Sequence, residues 1–576
     1  MVLADWPSAL VAAAFVVAFL LPFEAIPPLV NTPWFGLTDD KLVLLLLLVG
    51  WVSVGLSRHL AAARREESVL PTRGEWRLLL PSLVFILVTL LAARFAAAEY
   101  AAEALRFVAR LSAAAFVMLV AMRLGRDERH TLGLLWAVAL GGGLSALLGI
   151  GEALRWAPLE AVLALFKVAP TRVGGELRVS ASFQYATIAA MYFEMVVPLA
   201  IGLAASARRG WTRLLALAIA LACTATVVLS LTRAGMLTLA TIFAILLVAG
   251  CARAALRRVV LPTLASAAVL VGGTILLLVH DPVFDLRLQT EGDADWYGAA
   301  YSAPAGLSLQ AGQASTIDLD VRNEGRITWT SAGPHPFALG YRWLTDDGDG
   351  VLDIPPVEVP LTHDVEPGQT IHLQANLLVP DLPAGSYRLD WGMLQRDVLQ
   401  FYERGWADAE TEVSIGPSQV LASNMPGVRP RDDGEAPWVV GRMELWGAAM
   451  RLIVAHPLLG VGPDNFRHYY GAELGLEGWD ERIQANNLYL EVLADLGVLG
   501  LAVFAWVVAG PLVSSVRGGT RSSIALGVAL AIVAFLLHGL LDSFVAFNPT
   551  AWLFWLLLGL AASLGRTQKP QVSGRW

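Results

Sequence analysis

Runs of about 20 apolar residues, long enough to cross a bilayer as helices, recur at both ends of the chain. Twelve are read: 6–26, 40–57, 78–94, 106–122, 131–151, 181–205, 214–231, 235–251, 259–280, 488–510, 522–541 and 549–564. The first has no basic stretch before it and no small-residue cleavage site leading into a soluble domain, so it is read as a retained span and not a secretory signal. Between 281 and 487 the apolar runs shrink to strand length. Within that segment, 304–416 alternates with period two, as in Ile317, Leu319, Val321 and again in Tyr387, Leu389, Trp391. Turn signals at Asn323-Glu324-Gly325, Asp347-Gly348 and Pro367-Gly368 separate the strands and predict a β-sandwich of about 100 residues that resembles immunoglobulin-like modules. From 417 the period returns to helical. Val439, Met443, Trp446, Met450 and Ile453 recur at three- and four-residue steps and predict an amphipathic helix near the membrane surface, with Arg442 and Arg451 near its ends. The expected organisation is spans one to nine in 1–280, the sandwich in 304–416, a helical segment in 417–487 and spans ten to twelve with a tail in 488–576.

Composition agrees with a membrane protein. Of 576 residues, 56% are hydrophobic and 16% charged, against about 25% charged in soluble domains. A net charge of −8 gives no broad basic surface, so a nucleic-acid partner is not expected. Cys223 and Cys251 both fall in apolar runs and are read as small hydrophobes, not as a disulfide or a metal site.

Charge also orients the spans. Every second loop is basic: Arg58, Arg64, Arg65, Arg73 and Arg77; Arg123, Arg126 and Arg129; Arg208, Arg209 and Arg213; Arg253, Arg257 and Arg258; Arg517 and Arg521; then the tail with Arg566, Lys569 and Arg575. The positive-inside rule puts these loops and both termini in the cytoplasm and the 281–487 segment outside.

No phosphate-binding loop, dinucleotide fingerprint, zinc-protease helix or nucleophile elbow occurs in a supporting context. Asp318-x-Asp320 and Asp347-x-Asp349 are read as the polar face of a strand and as a hairpin turn. The tryptophans of this region either fill its core or stack on sugars. The chemistry gathers instead at the outer ends of the spans. Arg178 precedes span six, Arg233 lies between spans seven and eight, and Arg442 opens the amphipathic helix; a guanidinium offers paired donors to a phosphate. Taken singly, an outward arginine is more often an anchoring residue. Asn487, Glu491 and Asp495 form a polar stripe at the start of span ten, where Asn486 is expected to cap the helix. Glu194, His538 and Asp542 are further polar groups placed within spans, where such residues face a cavity or a partner.

Several of these stretches match a family pattern. Gly441-Arg442-Met443-Glu444-Leu445-Trp446, Ala455-His456-Pro457-Leu458-Leu459-Gly460-Val461-Gly462 and Asn486-Asn487-Leu488-Tyr489-Leu490-Glu491 through Gly497 resemble the signature of the O-antigen ligase and polymerase family. Arg178 to Ala186, which includes Tyr185, resembles that family's span-six entrance, and Leu231-Thr232-Arg233-Ala234-Gly235 its outward arginine motif. The resemblance implies an inverting, metal-independent glycosyltransferase of GT-C type in the bacterial inner membrane, needing no cofactor. It would move a glycan from undecaprenyl diphosphate to a hydroxyl of a glycan, lipid or protein acceptor, with Arg442, Arg233 and Arg178 on the diphosphate. Arg451, Glu491 and Tyr185 are further candidates for substrate contact. The family commonly has histidine where this chain has Asn486, and asparagine is no general base. His468 and Glu481 on the preceding loop are the candidate substitutes. Two other classes compete: a transporter or flippase of lipid-linked glycans, which internal duplication would favour, and a glycan-sensing scaffold.

Overall fold

The computed structural model describes residues 8–25, 30–31, 36–37, 45, 47–51, 73–167, 172–173, 176–278, 286–287, 289–290, 294–416, 426–430, 440–476, 478–520, 522–543 and 547–564. Most of the second expected span, the arginines at 58, 64, 65 and 521, Val439 and the basic tail lie outside the described residues.

Apolar helices make up the membrane part: α1 (Ser8–Leu20), α2 (Arg73–Ala93), α3 (Ala101–Leu124), α4 (Glu128–Ala153), α5 (Ala186–Ser206), α6 (Gly210–Leu229), α7 (Arg233–Ala252) and α8 (Ala254–Leu278). After the β-rich region come α9 (Arg442–Ala455), α10 (Phe466–Leu474), α11 (Leu488–Gly519), α12 (Ser523–His538) and α13 (Asn548–Leu564). Among the described residues, seven helices are long and apolar enough to cross a membrane, and four more are apolar but shorter. The chain is therefore a polytopic helical membrane protein with a β-rich region. Helix α5 is buried along nearly its whole length, with α6, α12 and α4 packed around it. Small residues allow these close approaches: at Gly202 and Gly527 an added Cβ would meet the opposing backbone at 2.7 and 2.6 Å, so α5 and α12 touch main chain to main chain.

Among the described residues, the β-rich region holds eleven strands: β1 (Ala299–Ser302), β2 (Gly306–Gln310), β3 (Ala314–Asn323), β4 (Phe337–Leu344), β5 (Gly350–Leu352), β6 (Val357–Pro360), β7 (Thr370–Leu378), β8 (Gly385–Gln395), β9 (Leu399–Gln400), β10 (Ala409–Gly416) and β11 (Val428–Pro430). One sheet runs β11-β5-β4-β8-β10-β2, with β6 also on β4 and β9 on β8; the other runs β7-β3-β1. The period-two pattern is what separates inside from outside. On β3, Ile317, Leu319 and Val321 are buried opposite Ala375, Leu373 and Ile371 of β7, while Asp318 and Asp320 face outward opposite Gln374 and His372. Asp320 accepts from His372 Nδ1 at 2.9 Å and raises its pKa. Both sheets contribute to one apolar core. Trp296, Trp329, Trp343 and Trp391 lie inside that core, so these tryptophans fill it and do not offer faces to a sugar. The unit exceeds the expected 304–416: β1 and Trp296 precede it, and β11 returns at 428–430 to pair with β5. Asp347 takes the turn role expected of it, its Oδ1 accepting from Asp349 N at 3.1 Å beside Gly348 at φ 82°.

Candidate active site

The first turn of α11 is stitched to the end of α12. Leu488 N donates to Gly539 O at 2.8 Å, Asn487 Nδ2 to Leu540 O at 2.9 Å and the Tyr489 hydroxyl to Leu536 O at 2.8 Å. Asn487, and not Asn486, is the helix cap: its Oδ1 accepts from Tyr489 N and Leu490 N, both at 3.0 Å, satisfying donors that a helix start leaves open. Asn486 instead sits at φ 48°, a left-handed conformation that asparagine, aspartate and histidine adopt more readily than other side chains.

Beside this corner runs a buried chain of ionisable groups. Glu194 of α5 and His538 at the end of α12 are both 0% exposed. His538 Nδ1 lies 3.0 Å from each Glu194 oxygen, and its Nε2 lies 3.3 Å from Asp542 Oδ2. Asp542 Oδ1 is in turn 3.7 Å from Arg442 Nη2 at the start of α9. Each ring nitrogen of His538 thus faces a carboxylate. Such pairing is what makes burial of these groups affordable among apolar helices. The far side of Glu194 meets α7: Thr238 bonds to it, and a Cβ at Gly235 would approach its Oε1 to 2.7 Å. Arg233 is the first residue of that helix, two positions before Gly235. Arg442 and the first turn of α7 therefore lie at opposite ends of a single Glu194–His538–Asp542 chain.

Arg178 has a different place from the one expected. It is 8% exposed, and donates from Nε to Ser230 O at 3.1 Å and from Nη2 to Thr232 Oγ1 at 3.2 Å. It braces the turn, strained at Leu231 (φ 50°), from which Arg233 emerges. The two weaker sequence motifs, around 178–186 and 231–235, are thus one structural unit. Glu152 completes it, accepting from Ser180 N and Ala181 N at 3.2 and 2.8 Å while paired with the buried Lys167.

The glycine-rich stretch 457–463 serves a helix break. At Gly497 (φ 65°, ψ −170°) α11 departs from helical geometry. The groups this frees find partners in the stretch: Val461 N on Ala494 O at 2.9 Å, Gly462 N on Asp495 O at 3.0 Å and Val498 N on Pro457 O at 2.8 Å. Backbone groups left open among apolar helices cost several kcal/mol each, so a break must be repaired in this way. The carboxylates of the expected polar stripe do the same work. Asp495 accepts from Asp464 N and Phe466 N, both at 2.8 Å, and Glu491 from Ala485 N at 2.9 Å. Glu491, placed in the sequence as a substrate contact, is tied to the loop before α11, although with Asp495 and Asp464 it also lines a small cavity.

Two further expectations change. His468, a candidate base, has a 2% exposed side chain, with Nε2 2.9 Å from Glu103 and Nδ1 3.1 Å from Glu481, and its ring stacks on Tyr100 at 4.0 Å. It fastens α10 to α3, where Arg467 also pairs with Glu103 and Arg110 with Asp464 at 2.7 Å. Arg451 donates to Glu473 O at 2.7 Å and pairs with its carboxylate at 3.3 Å, joining α9 to α10. The buried face of α9 is Leu445, Ala448, Ala449 and Leu452, whereas Met443 and Met450 are 71% and 50% exposed. Trp446 and Ile453 of the predicted apolar stripe pack against this core, whereas Met443 and Met450 point away from it. Tyr185 is exposed at the start of α5, edge-on to Phe547 with ring centres 6.4 Å apart.

Residues 399–505 match the family described as O-Antigen ligase. The match runs from β9 to the middle of α11 and includes Arg442, the 457–463 stretch, Asn486, Asn487 and Gly497. The resemblance drawn from the 441–497 motifs is thereby supported over that stretch; Arg178 and Arg233 lie outside it. No curated protein matches the chain.

Proposed function

We propose that this protein is a glycosyltransferase of bacterial surface-polysaccharide assembly, acting at the outer face of the cytoplasmic membrane on a glycan carried by undecaprenyl diphosphate. The observation that carries this reading is the Arg442–Asp542–His538–Glu194 chain, running from a family-matched segment to the helix that Arg233 opens. Arg442 at one end of this chain, with Arg233 on the helix that meets the other, offers donors to a diphosphate, whose negative charge grows as it leaves. In the reaction, the acceptor hydroxyl oxygen attacks the anomeric carbon. The bond from that carbon to the diphosphate oxygen breaks, its electron pair stays on the diphosphate against Arg442 and Arg233, and the hydroxyl proton passes to Asp542. His538 and Glu194 are positioning residues for that carboxylate. The β-rich unit, read as an immunoglobulin-like sandwich, stands outside with the acceptor. In a strain lacking the gene, lipid-linked glycan accumulates. Accumulated single repeat units identify a polymerase, finished chains a ligase, and unchanged lipid-linked pools with normal surface polymer contradict the proposal.

The position of Asn486 adds a sharper expectation. Its left-handed backbone accepts histidine without new strain, and an imidazole there would add a second proton acceptor at the mouth of the site. Asn486→His is expected to fold normally and to raise transfer several-fold, below the roughly 10²–10⁴ that a fully positioned base supplies. An initial-rate assay in membrane vesicles checks this, and an unchanged or lower rate with normal protein levels counts against placing the acceptor at Asn486.

A further inference from the structure

Helices α2 and α3 are joined by the short loop 94–100, and their ends at that loop line an open groove of about 650 Å³. Its walls are leucines, with Leu87, Leu91 and Leu105 at 62%, 49% and 53% exposure. Alanines line it as well, among them Ala96 and Ala101. Large apolar side chains usually make a lipid-facing helix pair convex; here the alanines hollow it. Arg94 stands at the rim, exposed, and forms no ion pair among the described residues. By the charge pattern this end of the pair faces outside, where arginines are disfavoured. Helix α11 stands between this groove and the Arg442–Asp542 pair, packing α2 on one side and α12 on another.

We infer that the groove binds an anionic phospholipid of the outward leaflet, one acyl chain lying between the leucines and the phosphate on Arg94. An exposed cation beside a chain-wide apolar trough matches such a molecule in both charge and polarity. The site also touches the machinery described above. Ala96 backs onto Gly462, where an added Cβ would come within 2.8 Å of it, and Tyr100 stacks on His468. A lipid seated here buttresses the loop that repairs the break in α11. Nothing in this inference depends on the transfer chemistry, so either can fail alone.

Native mass spectrometry of the full chain, titrated separately with phosphatidylglycerol, diacylglycerol and inorganic phosphate, tests it. Phosphatidylglycerol is expected to form one tight adduct. Arg94→Gln weakens that adduct about five-fold, equivalent to ~1 kcal/mol for one arginine at a membrane surface, and leaves diacylglycerol unchanged, while Arg94→Lys stays near wild type. Ala101→Phe, which fills the groove, weakens both lipids, and inorganic phosphate forms no stable adduct. Equal phosphatidylglycerol affinity in wild type, Arg94→Gln and Ala101→Phe would overturn the inference, as would phosphate alone displacing the lipid.

Discussion

Replacing Arg442 by alanine is expected to lower glycan transfer by about 10²–10³, the usual loss when one preorganised donor to a developing negative charge is removed. Arg442 sits at the first position of α9 with 30% of its side chain exposed, open to a ligand yet fixed at one end by Asp542. Alanine removes the donor fork and leaves Asp542 paired with His538. Arg442→Lys separates the two effects: it keeps the charge near Asp542 but loses bidentate geometry. Its transfer rate is therefore expected between those of wild type and alanine. Transfer in vesicles, normalised to inserted protein, gives the comparison, and Arg233→Ala is expected to fall in the same range. Normal transfer by Arg442→Ala would remove the diphosphate role from this residue.

Gly497→Val is expected to destabilise the protein by about 3 kcal/mol or more, because the backbone there lies in a region open essentially to glycine alone. A Cβ at this position would also overlap the Leu458 carbonyl, pushing away the stretch that satisfies Ala494, Asp495 and Val498. The loss of folded protein should thus exceed what backbone strain alone produces. Gly475→Ala is the control. Gly475 caps α10 at φ 74° with open space around it, so alanine there meets only left-handed strain of ~1–2 kcal/mol. Thermal midpoints by size-exclusion fluorescence in detergent rank the two, and equal midpoints would mean that the contact with Leu458 contributes nothing.

The parts of this fold legible in the sequence are those governed by local periodicity. Most of the expected spans correspond to apolar helices, and the alternation in Ile317, Leu319 and Val321 reports the buried face of β3 faithfully. Patterning failed where packing depends on small residues or distant partners. On α9 the apolar positions 443 and 450 marked a face expected near the membrane surface, but the pattern did not show that Ala448 and Ala449 lie on the face packed against the protein, where close helix contact rewards small side chains. Arg178, His468 and Arg451 are arginine or histidine types suited to a substrate, but the structure gives them partners at Ser230, Glu103 and Glu473. His468 and Glu103 are 365 positions apart, a separation that no local rule spans. Conversely, Glu194 and the His538/Asp542 pair were visible as polar groups inside spans; only the fold shows that they pair with each other.

Convergence of Arg233 and Arg442 on one diphosphate is the claim on which the functional account stands, and a double-mutant cycle measures it directly. Dissociation constants of undecaprenyl diphosphate from wild type, Arg233→Ala, Arg442→Ala and the double variant give the coupling between the two side chains. The account predicts that each single change weakens binding and that the two effects are non-additive by roughly 0.5–3 kcal/mol, as for residues sharing one ligand group. Strictly additive effects, or binding untouched by either change, would contradict it.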